Sequence, residues 1–250
     1  MKIVACIKRV PSTETTVRIS ADGKSLDSTG VEYIISPFDE MALEEGLRIK
    51  EKVGGEVIAL TLGTADAATT LRTCLAMGAD RAVLIKDDKV YQKDPYSVAY
   101  ALSNVLKELA PDIILFGKQA VDDDNSQISA MVAQIMKLPS VNLAVKIELN
   151  GTQALVHREI EGGSEILEVT LPAIFSAQKG LNEPRYPSLK GIMAAKKKTI
   201  EEKAATFPAA GIETIKMEYP PSRVPGRVVG KGAEAVPELV RLLKEEAKII

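Results

Sequence analysis

The regular alternation of short apolar runs with helical periods through the first half of the chain constrains its fold more than any other feature. Residues 2–7, 56–62, 82–85 and 112–116 are apolar runs of strand length, parted by segments whose apolar positions recur at helical spacing. The first of these segments follows Ser36, a candidate N-cap, with Pro37 at the first helical position, Asp39 at the third, Leu43 and Leu47 as the buried stripe, and Gly54-Gly55 as the stop. Further helices are expected over 65–77, closed by Gly78, over 95–109, capped by Asp94, and over 128–136. Buried strands joined by helices require right-handed crossovers, so this part reads as a doubly wound α/β layer with a mostly parallel sheet and helices on both faces.

Elsewhere the pattern changes. Residues 13–34 are a polar excursion in which 17–19 and 31–35, parted by Asp22-Gly23, are expected to pair as a hairpin. From residue 141 the runs 141–148 and 154–160 flank Asn150-Gly151, a hairpin signal, and 165–169 continues them as a β-meander that 173–177 closes. Residues 201–229 are rich in Pro, Lys and Glu without a sustained period, before an amphipathic helix over 236–249. The expected organisation is therefore an α/β domain with meander over 1–190 and an extended arm with a C-terminal helix over 191–250.

Charge and cysteine usage exclude several functions. With 32 basic and 34 acidic residues the net charge is −2, so no global field drives binding to nucleic acid or to an anionic membrane. The N-terminal residues lack the pattern of a signal or transit peptide, which gives a cytoplasmic expectation without membrane insertion. Cys6 and Cys74 lack metal spacing and His157 is the single histidine, so no metal site is expected. His157, between Val156 and Arg158 in a strand pattern, reads as a structural polar residue, and no nucleophile, base or carboxylate pair stands out as catalytic.

Open α/β sheets place ligands beyond the carboxyl ends of their strands. The loop over 117–127 leads into the helix over 128–136, and free N–H groups around Ser126, Gln127 and Ile128 can hold a phosphate there. Three aspartates, Asp122, Asp123 and Asp124, precede that start. With phosphate bound, one is expected to cap the helix, one to reach a ribose hydroxyl and one to face water; the alternative is a solvated capping run. A second stretch, residues 181–198, combines Pro184 and Pro187, which stiffen the chain, with apolar Tyr186, Leu189, Ile192 and Met193. It reads either as a short amphipathic helix packed on its own domain or as a docking loop.

Several stretches together resemble one family, the β subunits of electron transfer flavoproteins. They are residues 4–10, the Ser36-Pro37-Phe38-Asp39-Glu40 stretch continuing to Glu45, residues 75–81, the 117–127 loop, Arg158-Glu159-Ile160-Glu161-Gly162-Gly163, and above all residues 181–198. The resemblance implies an adenine-nucleotide-binding, Rossmann-like α/β domain and a heterodimer with an α subunit that holds the working FAD. It also implies electron transport from acyl-CoA or related dehydrogenases to a membrane quinone oxidoreductase. AMP is expected against Cys6, Ser36, Leu62, Gly63, Asp123, Ser126, Gln127 and Ile128, with Phe38 near the flavin. Glu159 is expected to gate the orientation of the flavin domain. Tyr186, Leu189, Ile192 and Met193 are expected to dock dehydrogenases, and the C-terminal helix to pack on the α subunit. Ser36 stands where the family more often has Asn, and Thr13 where an aromatic residue can face the flavin.

A branch of that family bifurcates electrons and holds a second FAD in place of AMP. That branch usually reads Pro-Asp-Asp where this chain has Pro37-Phe38-Asp39, and Asp-Gly-Asp-Thr-Ala-Gln where it has residues 122–127. Without glycine at Asp123 the backbone has less freedom to approach a diphosphate, so the AMP-binding, non-bifurcating type is expected. A reading from another class is a nucleotide-binding stress-type sensor on a similar layer.

Overall fold

In the computed structural model, which describes residues 1–223 and 225–250, the alternating runs become one nine-stranded sheet. The parallel part contains β1 (Lys2–Cys6), β4 (Glu56–Gly63), β5 (Arg81–Lys86), β6 (Ile113–Gly117) and β10 (Ala173–Ala177). Its helices are α1 (Pro37–Val53), α2 (Ala67–Met77), α3 (Pro95–Leu109) and α4 (Ile128–Met136). Asp94 caps α3 by accepting the Ser97 N–H at 2.7 Å. Because side chains alternate along a strand, β1 supplies both cores. Ile3 and Ala5 pack with Leu43 and Leu47 of α1 and Leu71 of α2, whereas Val4 and Cys6 pack with Leu102 and Leu106 of α3 and Val132 of α4. The fold is doubly wound, with helices on both faces.

The meander forms β7 (Ser140–Asn150), β8 (Gln153–Ile160) and β9 (Gly163–Thr170), antiparallel to one another, and β7 joins the parallel sheet beside β10. Two expectations need correction. Strands β2 (Arg9–Pro11) and β3 (Tyr33–Ile35) pair with each other as a separate two-stranded sheet, while Ile19 bridges Leu26 around the Asp22-Gly23 turn. The excursion is closed by this longer-range pair because Val10 and Ile35 are the residues that reach the core, and Val17 stays exposed.

The second correction concerns the stretch read as an arm from residue 191. Helix α5 (Leu189–Lys197) packs on α2, and β11 (Ile200–Ala204) pairs in parallel with β5 as an edge strand. Gly191 makes that packing possible, since a Cβ there would lie 2.3 Å from the Ala76 carbonyl oxygen. The polarity of β11 suits an edge: Glu201 pairs with Arg81 at 2.9 Å and Lys203 with Glu108 at 3.2 Å. The first compact unit thus runs over Met1–Lys216. A second unit, Met217–Ile250, contains α6 (Val236–Glu245), where Arg241 joins Glu238 and Glu245 along one face and Val236, Leu239 and Val240 are exposed.

The strand order β11-β5-β4-β1-β6-β10-β7-β8-β9 defines where a ligand can enter. From β1 the chain moves outward through β4 and β5, then crosses to β6 on the other side of β1. The chains leaving β1 and β6 lead to helices on opposite faces, which makes this the switch point where an open α/β sheet forms its ligand crevice.

Candidate functional site at the sheet's switch point

Both loops are held from below by one side chain. Asp39, in the first turn of α1 and buried, accepts the Lys8 N–H and the Gly117 N–H, each at 2.8 Å. The Ser36 N–H donates to the Lys8 carbonyl at 3.0 Å, which ties the start of α1 to the same loop. Burial pushes the Asp39 carboxyl up to about 7 despite the two backbone donors. Gly117 leaves room for this arrangement: a Cβ there would lie 2.5 Å from Asp39 Oδ1 and 2.7 Å from Phe38 Cβ.

Above this clamp, Lys8 Nζ crosses the crevice to Asp122 at 2.8 Å and Asp123 at 2.9 Å. Burial works against the Lys8 charge, but the two aspartates outweigh it and hold the ammonium above its ordinary pKa. Asp124, with φ 50°, accepts from Gln119 Nε2 at 2.6 Å. None of the three aspartates caps α4, contrary to expectation. The cap position is Gln127, and no side chain closes the helix start among the described residues. The aspartates turn instead to Lys8 and Gln119, which leaves the first N–H groups of α4 free for an anion.

Ser36 also departs from expectation. It stands at the cap position of α1, but its side chain makes no capping bond, and its fully buried Oγ has no hydrogen-bond partner among the described residues. A buried hydroxyl without a partner is costly unless a ligand supplies one. Cys6 ends β1, and burial, with Asp39 adding to it, raises its thiol pKa well above the ordinary value, so the sulfur stays a protonated thiol and not a nucleophile. Leu62 and Gly63 end the neighbouring strand β4 on the same side. An orphan hydroxyl and an uncapped helix start, an anion-binding feature, thus lie toward the same end of the sheet.

The structure thus brings Cys6, Ser36, Leu62, Gly63, Asp123, Ser126, Gln127 and Ile128 to one end of the sheet. Phe38 lies at its rim, with Lys118 Nζ 4.9 Å from the ring centroid. Sequence reasoning gave no site role to Lys8 or Asp39. The available signal was a lysine immediately beyond a buried strand and an acid in a first turn. Glu159 lies on the exposed end of β8, where its carboxylate accepts from Gln178 Nε2 at 2.6 Å.

A second feature lies on the face of α1 and α5. Asn182 donates to the Met41 carbonyl at 3.0 Å and to Glu45 at 2.9 Å, while Arg185 joins Glu44 and Glu51. Ser188 caps α5 by accepting the Gly191 N–H at 3.0 Å, and Arg72 donates to the carbonyls of Ala195 and Lys198 at the other end. On this fastened backbone Tyr186 is 94% exposed, Leu189 84%, Met193 61% and Ile192 41%. The helical reading of the stretch holds in part. It contains a short helix, but only Ala195 of that helix is buried against the domain.

The sequence profile described as "Electron transfer flavoprotein domain" matches residues 24–208. Among curated proteins, the electron transfer flavoprotein subunit beta of Bacillus subtilis is 41% identical, with all of both chains covered. That of Syntrophomonas wolfei is 38% identical over all of this chain and 98% of its own. That of Thermoanaerobacterium thermosaccharolyticum is 44% identical over 78% of this chain and 75% of its own. Family match, full-length relatives and fold agree, and the chain belongs to the electron transfer flavoprotein family, among its β subunits.

Proposed function

We propose that this chain is the β subunit of a heterodimeric, non-bifurcating electron transfer flavoprotein that works in the cytoplasm. It carries electrons from acyl-CoA or related dehydrogenases, as in fatty acid oxidation, to a membrane quinone oxidoreductase, and has no catalytic residues of its own. FAD, held mainly by the α subunit, supplies the electron-carrying chemistry when bound. This chain helps to house it, with Phe38 nearest, and holds AMP as a structural ligand. The observation that carries this reading is the switch-point crevice with its open helix start and orphan Ser36 hydroxyl.

In that crevice Ser126, Gln127 and Ile128 offer backbone donors to the phosphate and Asp123 reaches the ribose, while Cys6, Ser36, Leu62 and Gly63 surround the base. Lys8 offsets one of the two charges of Asp122 and Asp123, which weakens their repulsion of an anion at the neighbouring helix start. The exposed Tyr186, Leu189, Ile192 and Met193 form the dehydrogenase-docking surface, Glu159 biases the orientation of the flavin domain, and α6 packs on the α subunit.

Co-expression with the α-subunit gene tests the reading. A yellow heterodimer that releases AMP and FAD in about equal amounts on denaturation is expected from one nucleotide pocket and one flavin. Two FAD without AMP would place the chain in the bifurcating branch, and a colourless homodimer would remove the carrier function.

A further inference from the structure

Asp39 is an expensive residue for the fold to keep. Its carboxylate is buried at the base of the crevice, and the two groups it binds are backbone N–H groups of different loops, those of Lys8 after β1 and Gly117 at the end of β6. Its place in the first turn of α1 puts it at the positive end of the helix, which favours the anion. Gly117 approaches so closely that any side chain there would displace the carboxylate. These contacts fix the separation of the two strand ends that form the crevice.

We propose that Asp39 is the positioning residue of the nucleotide crevice, and that its charged carboxylate holds the β1 and β6 loops at the separation an adenylate needs. The inference rests on the nucleotide reading above. A neutral carboxyl keeps one good acceptor oxygen and turns the other into a hydroxyl, which cannot accept equally from a second N–H. Protonation therefore releases one loop. Lys8, whose backbone is the bound group, moves with its loop and draws its Nζ away from Asp122 and Asp123 beside the phosphate position.

The charged and titratable groups around Asp39 are few. From β1 and its loop come Cys6 and Lys8, from the β6 loop Asp122, Asp123 and Lys118, from α2 Cys74, and from α1 itself Glu40. Burial, the largest influence, raises the Asp39 pKa to about 7, within reach of ordinary pH changes. The folded value lies above the ordinary one, so this group favours the fold at low pH and that contribution disappears as pH rises through about 7. At pH 8 the ionised carboxylate thus serves the site and not the fold.

The experiment measures AMP release from the purified heterodimer between pH 8 and pH 6, with Asp39→Asn alongside. An acid titrating near 7 loses about tenfold of its ionised fraction over that range, so wild-type release should quicken by about tenfold along a one-proton curve. Asp39→Asn should hold little AMP at either pH and keep its FAD, and without nucleotide it should be no less heat-stable at pH 8 than wild type. Gly117→Ala, which displaces the carboxylate without changing charge, should also lose AMP at pH 8. A pH-independent wild-type release rate overturns the proposal even if the variants fail to fold, as does an Asn variant that keeps AMP with the wild-type pH profile. If the crevice holds FAD, the AMP reading fails, and the same comparison made on that dinucleotide still decides the role of Asp39. A heterodimer with no nucleotide in the crevice at pH 8 overturns both.

Discussion

The Arg185 guanidinium grips the Glu44 carboxylate at two points, Nε to Oε2 at 2.8 Å and Nη2 to Oε1 at 3.1 Å, and so fastens the proline-rich segment before α5 to the side of α1. Glu44 is almost wholly buried there and is shared with Arg48, which in turn donates to the Glu183 carbonyl. A segment held in this way presents its exposed apolar residues in one arrangement, so the proposed docking would require less further ordering.

Releasing that grip should affect docking more than folding. Arg185→Ala leaves Glu44 paired with Arg48, so the loss of stability should be about 1 kcal/mol, in the range of partly exposed ion pairs. Dehydrogenase-driven reduction should slow severalfold, while AMP and FAD contents remain normal; steady-state kinetics with denaturant melts separates the two effects. Burial opposes the Glu44 charge, but the bonds from Arg185 and Arg48 outweigh it and hold the pKa below the ordinary 4.5. The stabilisation is therefore present above about that pH and lost as pH falls through the lower folded value, so the wild-type advantage over Arg185→Ala should shrink on acidification.

At the helix start of α4, replacing Gln127 or Ile128 by proline, which removes one of the backbone donors, should weaken nucleotide binding without touching the flavin. A ligand bound only by the folded state stabilises it by mass action, so thermal stability and the yield of heterodimer should fall. The absorption spectrum of the surviving heterodimer should be unchanged. An altered flavin spectrum with undiminished AMP would assign these residues to the flavin instead.

Glu159 is exposed and held by Gln178, while Arg158 turns to Glu165 at 2.7 Å. An exposed pair with a flavin-domain cation would be worth about 0–1 kcal/mol, enough to bias an equilibrium without locking it. Glu159→Ala should therefore shift the distribution of domain orientations in small-angle scattering and change the electron-transfer rate. If neither moves, the gating role is wrong.

The α/β layer was legible in the sequence because each βαβ unit carries its own period, and local signals such as Asp94 before Pro95 fix the helix starts. What was not legible depends on partners distant in sequence. The aspartates of the 117–127 loop look like a helix cap until Lys8 is brought to them from the other side of the crevice. Strand β11, Ile-Glu-Glu-Lys-Ala, has the composition of a solvated linker and becomes a strand through β5 and its ion pairs with Arg81 and Glu108. Tyr33–Ile35 similarly chose Arg9–Pro11 over its neighbour in sequence. The exposed apolar residues of the 181–198 stretch were visible at once, but their rigid mounting on Glu44, Glu45 and Glu51 was not.

In the proposed docking role, the need for a contact both specific and brief makes Leu189 the decisive residue. Burying one leucine is worth about 1.5–3 kcal/mol, sufficient to hold a transient complex and too little to slow its dissociation. The measurement is the rate at which an acyl-CoA dehydrogenase reduces the heterodimer carrying Leu189→Ala, beside its reduction by dithionite. A loss of roughly tenfold or more in the first, with the second and the flavin content at wild-type values, is the result expected from that lost burial. Reduction by the dehydrogenase at the wild-type rate would contradict it and remove the α5 surface as the proposed docking site.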